Sequence, residues 1–136
     1  YITVSTEHIA EGIRRMEEKI SLQIDHFTYY EADEEVNSET LIITYGVTSR
    51  AARDAVAQLR KENRKVSLLV LKTLYPVPEN LLKTAIAKAA RILVVEMNLG
   101  QYVREIERLV PNETVAFYGR MDGELISPEE IMGAAR

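Results

Sequence analysis

Two short stretches carry most of the residue types that could do chemistry. The first runs from Tyr45 and Gly46 through Ser49 to Arg50 and Arg53. A glycine followed by Ser49 at a helix start leaves backbone N–H groups free, and such a start suits an anion. Two arginines there oppose the helix dipole. Each is therefore expected either to be offset by a carboxylate, a partner chain or a ligand anion, or to sit solvated on the helix surface. The second stretch is Glu96-Met97-Asn98-Leu99-Gly100-Gln101, which follows an apolar run. A carboxylate at the end of a buried strand needs hydrogen bonds or a charge partner. Acid–base work would need a second acid or a histidine placed beside it, and the sequence places none. Glu96 thus reads first as a capping or interface carboxylate. Gly100 permits positive φ or close backbone approach. Asn98 and Gln101 touch either their own backbone or a neighbouring domain.

Composition excludes several classes. The chain has 136 residues, no cysteine, two histidines (His8 and His26) and a net charge of −4. Without cysteine there is no disulfide, no thiolate metal site and no Cys-held iron–sulfur cluster in this chain. No metal site is expected. The acidic balance argues against nucleic-acid binding, and no apolar run nears the ~20 residues of a membrane span. A soluble, cytoplasmic protein is expected. Phosphate loops of the Gly-x-Gly-x-x-Gly or Walker type are missing. The chain begins with Tyr1 rather than methionine, which suggests a piece of a longer protein.

The elements that must position these residues follow from periodicity. Ile9, Ile13, Met16, Ile20 and Ile24 mark one apolar stripe, predicting a helix over 5–24 that needs another surface to rest on. Residues 26–32 read as a short extended piece and 33–40 as an exposed loop. Apolar runs at 41–45, 66–71, 92–97 and 114–118 read as strands. Helices are expected from 48 or 49, capped by Thr48 or Ser49, to about 63, from Pro78 to 89, over 101–110, and after Ser127. Ser127, Pro128 and Glu130 form the pattern of a capping box with proline at the first helical position. Pro111 and Asn112 are expected to stop the third of these helices. The alternation predicts an α/β domain with an open, mostly parallel sheet and helices on both faces. Its strand-end loops at Tyr45-Gly46, Tyr75-Pro76, 96–101 and Tyr118-Gly119 should share one edge, where ligands bind in such sheets.

Residues 45–78 and 94–110, with "EMNLGQ" at 96–101 and the ending "YGRMDGELISPEEI", resemble the α subunit of 2-oxoacid:ferredoxin oxidoreductases of the 2-oxoglutarate type. The resemblance covers Leu41 to the end and is weaker over 1–40. It implies a transketolase C-terminal-domain-like fold, with an antiparallel edge strand at 26–32. It divides the chain into a connecting helix and linker, 1–40, and an α/β domain, 41–136. It further implies oxidative decarboxylation of a 2-oxoacid to an acyl-CoA, with ferredoxin as electron acceptor. The resemblance implies that thiamine diphosphate, magnesium and an iron–sulfur cluster belong to the whole complex, with none expected in this domain. The implied partners are the β subunit and the α subunit's own thiamine-binding domain, with ferredoxin and coenzyme A for the whole enzyme. No catalytic residue is expected here. Tyr45, Gly46, Ser49, Arg50, Arg53, Glu96, Asn98, Gly100 and Gln101 are the residues expected at an interface or ligand. Two other readings are a stand-alone regulatory module that takes an anion or nucleotide at the strand-end edge, and an assembly domain of a different thiamine enzyme.

Overall fold

The computed structural model describes residues 5–110 and 115–136. Helices α1 (Thr6–Ser21) and α2 (Ile24–Phe27) form an arm that leads into strand β1 (Tyr30–Asp33). Then follow β2 (Thr40–Tyr45), α3 (Thr48–Lys61), β3 (Val66–Leu71), α4 (Glu79–Ile86), β4 (Arg91–Glu96), α5 (Tyr102–Leu109), β5 (Val115–Gly119) and α6 (Pro128–Ala135). The sheet order is β1-β3-β2-β4-β5. Strands β2 to β5 are parallel, and β1 runs antiparallel on the edge. This is the expected class.

The strands are buried on both faces because alternate side chains meet different helices. Ile42, Leu68, Val70, Leu93 and Val95 pack with α3 and α6. Leu41, Ile43, Leu69, Leu71, Ile92 and Val94 pack with α4 and α5. Residues of one strand two positions apart share a face, so Tyr45 and Glu96 both fall on the α4–α5 side.

Several element ends differ from the sequence reading. The first helix stops at Ser21 rather than 24, and a turn at Leu22–Gln23 redirects the chain into α2. Ile24 and Phe27 thereby become half-buried, whereas Ile9 to Ile20 stay exposed. The edge strand begins at Tyr30, where pairing with Leu71 starts. Neither Thr48 nor Ser49 caps α3. Gly46, at φ +62°, turns the chain so early that both lie inside the helix, and Ser49 Oγ donates to Gly46 O at 2.7 Å. Pro78 precedes α4 instead of opening it. The 33–40 segment is not exposed throughout. Ser38 and Thr40 are buried, because Ser38 Oγ bonds Thr40 O and accepts from Ser67 N. The α6 start is as expected, with both capping-box bonds formed. Pro111, Asn112 and Thr114 lie outside the described residues.

Candidate functional site

Strand order creates one special place. From β2 the chain winds through α3 to β3 on one side, then returns through α4 to β4 on the other side of β2. The carboxyl ends of β2 and β4 therefore flank the topological switch point, where open α/β sheets leave a crevice for ligands. Tyr45 ends β2 and Glu96 ends β4. Thr44 pairs with Val95, and the Thr44 hydroxyl donates to Val95 O at 2.8 Å, which holds the two strand ends side by side.

The crevice is filled by the chain's own polar groups. Glu96 is 1 % exposed. Its Oε2 accepts from Tyr45 Oη at 2.8 Å, Asn98 Nδ2 at 3.0 Å and Tyr102 N at 2.9 Å, while Oε1 accepts from Val103 N at 2.9 Å. The carboxylate thus caps α5 and meets the positive end of its dipole. Asn98 completes the closure. Its Oδ1 accepts from Gly100 N at 2.8 Å and Gln101 N at 3.0 Å, and its Nδ2 also donates to Tyr45 Oη at 2.7 Å. Gly100 sits at φ +83°, and a Cβ there would lie 3.1 Å from Val103 Cγ1. The loop accordingly needs a glycine at that turn. Asn98 touches its own backbone, one of the two contacts the sequence leaves open.

Burial, helped by the neighbouring Glu96 carboxylate, pushes the Tyr45 phenol up to about 12. Tyr102 stacks edge-on against it with ring centroids 5.8 Å apart, and burial raises its phenol too. Because the folded-state value of Tyr45 exceeds its ordinary 10.0, folding favours the neutral phenol. The resulting stability is complete below pH 10 and is lost as pH rises toward 12. Tyr45→Phe is expected to cost about 1 kcal/mol at neutral pH and to flatten the alkaline fall in stability. Urea unfolding as a function of pH checks both.

The helix-start site expected at α3 is differently arranged. Ser49 N and Arg50 N donate to Gly46 O and Val47 O, each at 3.2 Å. Arg53 pairs with Glu31 of β1, which Lys72 also approaches; Lys72 first, then Arg53, holds the Glu31 carboxyl below its ordinary value. Arg50 is exposed and has no carboxylate partner among the described residues. Gln101 is exposed, its backbone N–H held by Asn98. So the switch point gathers Tyr45, Glu96, Asn98, Gly100 and Gln101, while Ser49, Arg50 and Arg53 stand along α3. Sequence reading did not single out Tyr102, whose backbone N–H meets Glu96. Its signal was the aromatic at the first position of the helix that follows the acid.

At the β5 end, Arg120 reaches Asp122 at 2.8 Å, Glu130 at 3.0 Å and Glu124 at 2.5 Å. Tyr118 Oη donates to the same Glu130 at 2.9 Å. That loop is also tied down by its own residues. Among the described residues no group of three or more His, Cys, Asp or Glu is placed to hold a metal. No described helix is long and apolar enough to cross a membrane.

Residues 38–131 match the family described as pyruvate:ferredoxin oxidoreductase core domain II. The chain belongs to this family. The 2-oxoglutarate synthase subunit KorA of Methanocaldococcus jannaschii is 37 % identical over 132 residues, covering 96 % of this chain and 35 % of that subunit. The ketoisovalerate oxidoreductase subunit VorB of Methanothermobacter thermautotrophicus is 32 % identical over 100 residues, covering 74 % of this chain and 28 % of that subunit. The chain therefore spans about a third of the length of these curated relatives. A 2-oxoglutarate:ferredoxin oxidoreductase from Magnetococcus marinus, solved with 2-oxoglutarate, coenzyme A and succinyl-CoA bound, superposes with a TM-score of 0.86 at 25 % identity over 96 % of this chain and 23 % of that one. A split-gene transketolase shares the fold at TM-score 0.64 and 18 % identity, over 77 % of this chain and 40 % of its own. A core domain II thus has the transketolase C-terminal-like fold that its sequence resemblance implies.

Proposed function

We propose that this chain is a non-catalytic domain in the α subunit of a thiamine-diphosphate-dependent 2-oxoacid:ferredoxin oxidoreductase. The whole enzyme decarboxylates its 2-oxoacid oxidatively to an acyl-CoA and reduces ferredoxin in the cytoplasm. The observation that carries this reading is identity of 37 % along 96 % of the chain with a 2-oxoglutarate synthase subunit. 2-Oxoglutarate is accordingly the proposed substrate.

The residues present do not fit the cofactors. The chain has no cysteine for a cluster, and among the described residues no group of three or more His, Cys, Asp or Glu is placed to hold a metal. A diphosphate at the switch point would need N–H donors, yet Glu96 and Asn98 already accept those at the start of α5. Chemistry is therefore assigned to the rest of the complex. This domain's task is to hold subunits together and to shape the rim of the active site. Residues 1–40 connect it to the thiamine-binding portion, and 41–136 form the assembly unit. Its partners are that portion and the β subunit. Candidate contacts are Arg50 and Arg53 with the outward side of the 96–101 loop, where Leu99 and Gln101 are exposed.

Reversing both charges (Arg50→Glu with Arg53→Glu) in the complete complex tests the assignment. Subunit association is expected to weaken by about tenfold, mainly through interface charge complementarity. Domain stability should fall by less than about 1 kcal/mol, the range of exposed ion pairs. Sedimentation and steady-state assays read the first, and urea unfolding the second. Unchanged assembly and kinetics would assign both arginines to a solvated helix surface.

A further inference from the structure

We infer that α1 is a docking element whose apolar seam is covered by a helix of the remaining part of the same subunit. The inference rests on the proposed place of this chain in a longer α subunit. Helix α1 has no buried residue, and Ile9, Ile13, Met16 and Ile20 are 44, 55, 60 and 42 % exposed. Their spacing of four, three and four residues is the narrow seam of a coiled coil, rather than the broad stripe of a helix lying on a sheet. A seam of that width accepts one other helix.

At its end the seam runs into a groove. Ile20 and Ile24 line an open cavity of about 620 Å³ with Leu74, Tyr75, Pro76 and Val77. Tyr102 also lines it, and its buried hydroxyl has no hydrogen-bond partner among the described residues. The arm joins the sheet at the edge where the strand-end loops gather. Because β1 is antiparallel, Tyr30 pairs with Leu71 at the edge where the parallel strands end. That edge exposes Val47, Tyr75 and Leu99 as well.

The choice of occupant follows from seam length and chain length. The seam spans about two heptads, short of the three or four that sustain a free-standing coiled coil. A second copy of this chain would thus be held weakly, whereas a covalently linked helix acts at high effective concentration. The M. jannaschii subunit extends well beyond the matched portion, which is 35 % of its length. A remainder of that length has room for the linked helix.

Hydrogen exchange on the assembled complex with the full-length subunit tests this. Amides of residues 8–20 are expected to exchange at least ~10-fold more slowly than in an Ile13→Lys, Met16→Lys complex, while β2 and β4 are unchanged. Amine cross-links from Lys19, made in a mixture of heavy-isotope-labelled and unlabelled subunits, should join peptides of one isotope. Fast exchange of α1 in the wild-type complex, or a lack of same-isotope links, would overturn the inference. Oxidation of 2-oxoglutarate by the same preparation is read separately. Its absence with α1 protected would remove the functional reading and leave the docking intact.

Discussion

Replacing Glu96 by alanine is expected to destabilise the domain by about 3 kcal/mol, seen as a lower urea midpoint with little change in slope. The size follows from what the carboxylate satisfies. Tyr102 N and Val103 N point at it from the start of α5, and Tyr45 Oη and Asn98 Nδ2 donate to the same group. At 1 % exposure, water does not replace it without opening the loop. Glu96→Gln tests the capping explanation more finely. An amide retains one acceptor but turns an N–H₂ toward donors, so its loss should fall between wild type and alanine, at about 1.5 kcal/mol. Equal stability of all three proteins would mean that the carboxylate is kept for something other than the α5 start.

The second large effect is expected at Gly119. A Cβ there would overlap Phe117 Cζ and lie 2.7 Å from Asn98 O. The Phe117 ring is partly exposed and can turn aside. The Asn98 carbonyl cannot move without shifting the loop whose side chain holds Gly100 N and Gln101 N. Gly119→Ala should therefore cost about 2 kcal/mol, as overpacking against backbone does. It should also speed exchange of the Gly100 and Gln101 amides, which separates loop displacement from a general loss of stability. A fully stable Gly119→Ala protein with unchanged exchange would show that the β5 end does not brace this loop.

Much of this architecture is visible in the apolar runs. The runs at 41–45, 66–71 and 92–97 fall within one residue of β2, β3 and β4, because strands buried on both faces leave no room for polar alternation. Ser127, Pro128 and Glu130 mark the α6 start for a local reason, since a capping box needs only its own backbone. The switch-point network is less legible. Two-residue parity puts Tyr45 and Glu96 on one face, but their meeting depends on β2 lying beside β4, which is a matter of topology. The partner of Arg53 was hidden likewise, since Glu31 reaches it only once β1 adds antiparallel to β3. The break after Ser21 left no glycine or proline as a marker. It becomes understandable only when Ile24 and the 74–77 loop are seen lining one groove.

The network also bears on function. In a fold whose ligands gather at the switch point, this chain spends its donors there on its own Glu96 and Asn98. That suits a domain that fixes a loop for a neighbour to contact. We propose accordingly that the chain supports a 2-oxoacid:ferredoxin oxidoreductase without holding its cofactor. Titration calorimetry of thiamine diphosphate with magnesium into this chain and into the full complex, paired with ferredoxin reduction by 2-oxoglutarate, tests it most directly. No binding heat is expected from the chain alone, and both binding and 2-oxoglutarate-dependent reduction are expected from the complex. Micromolar binding by the chain alone, or a complex that oxidises no 2-oxoacid, would contradict it.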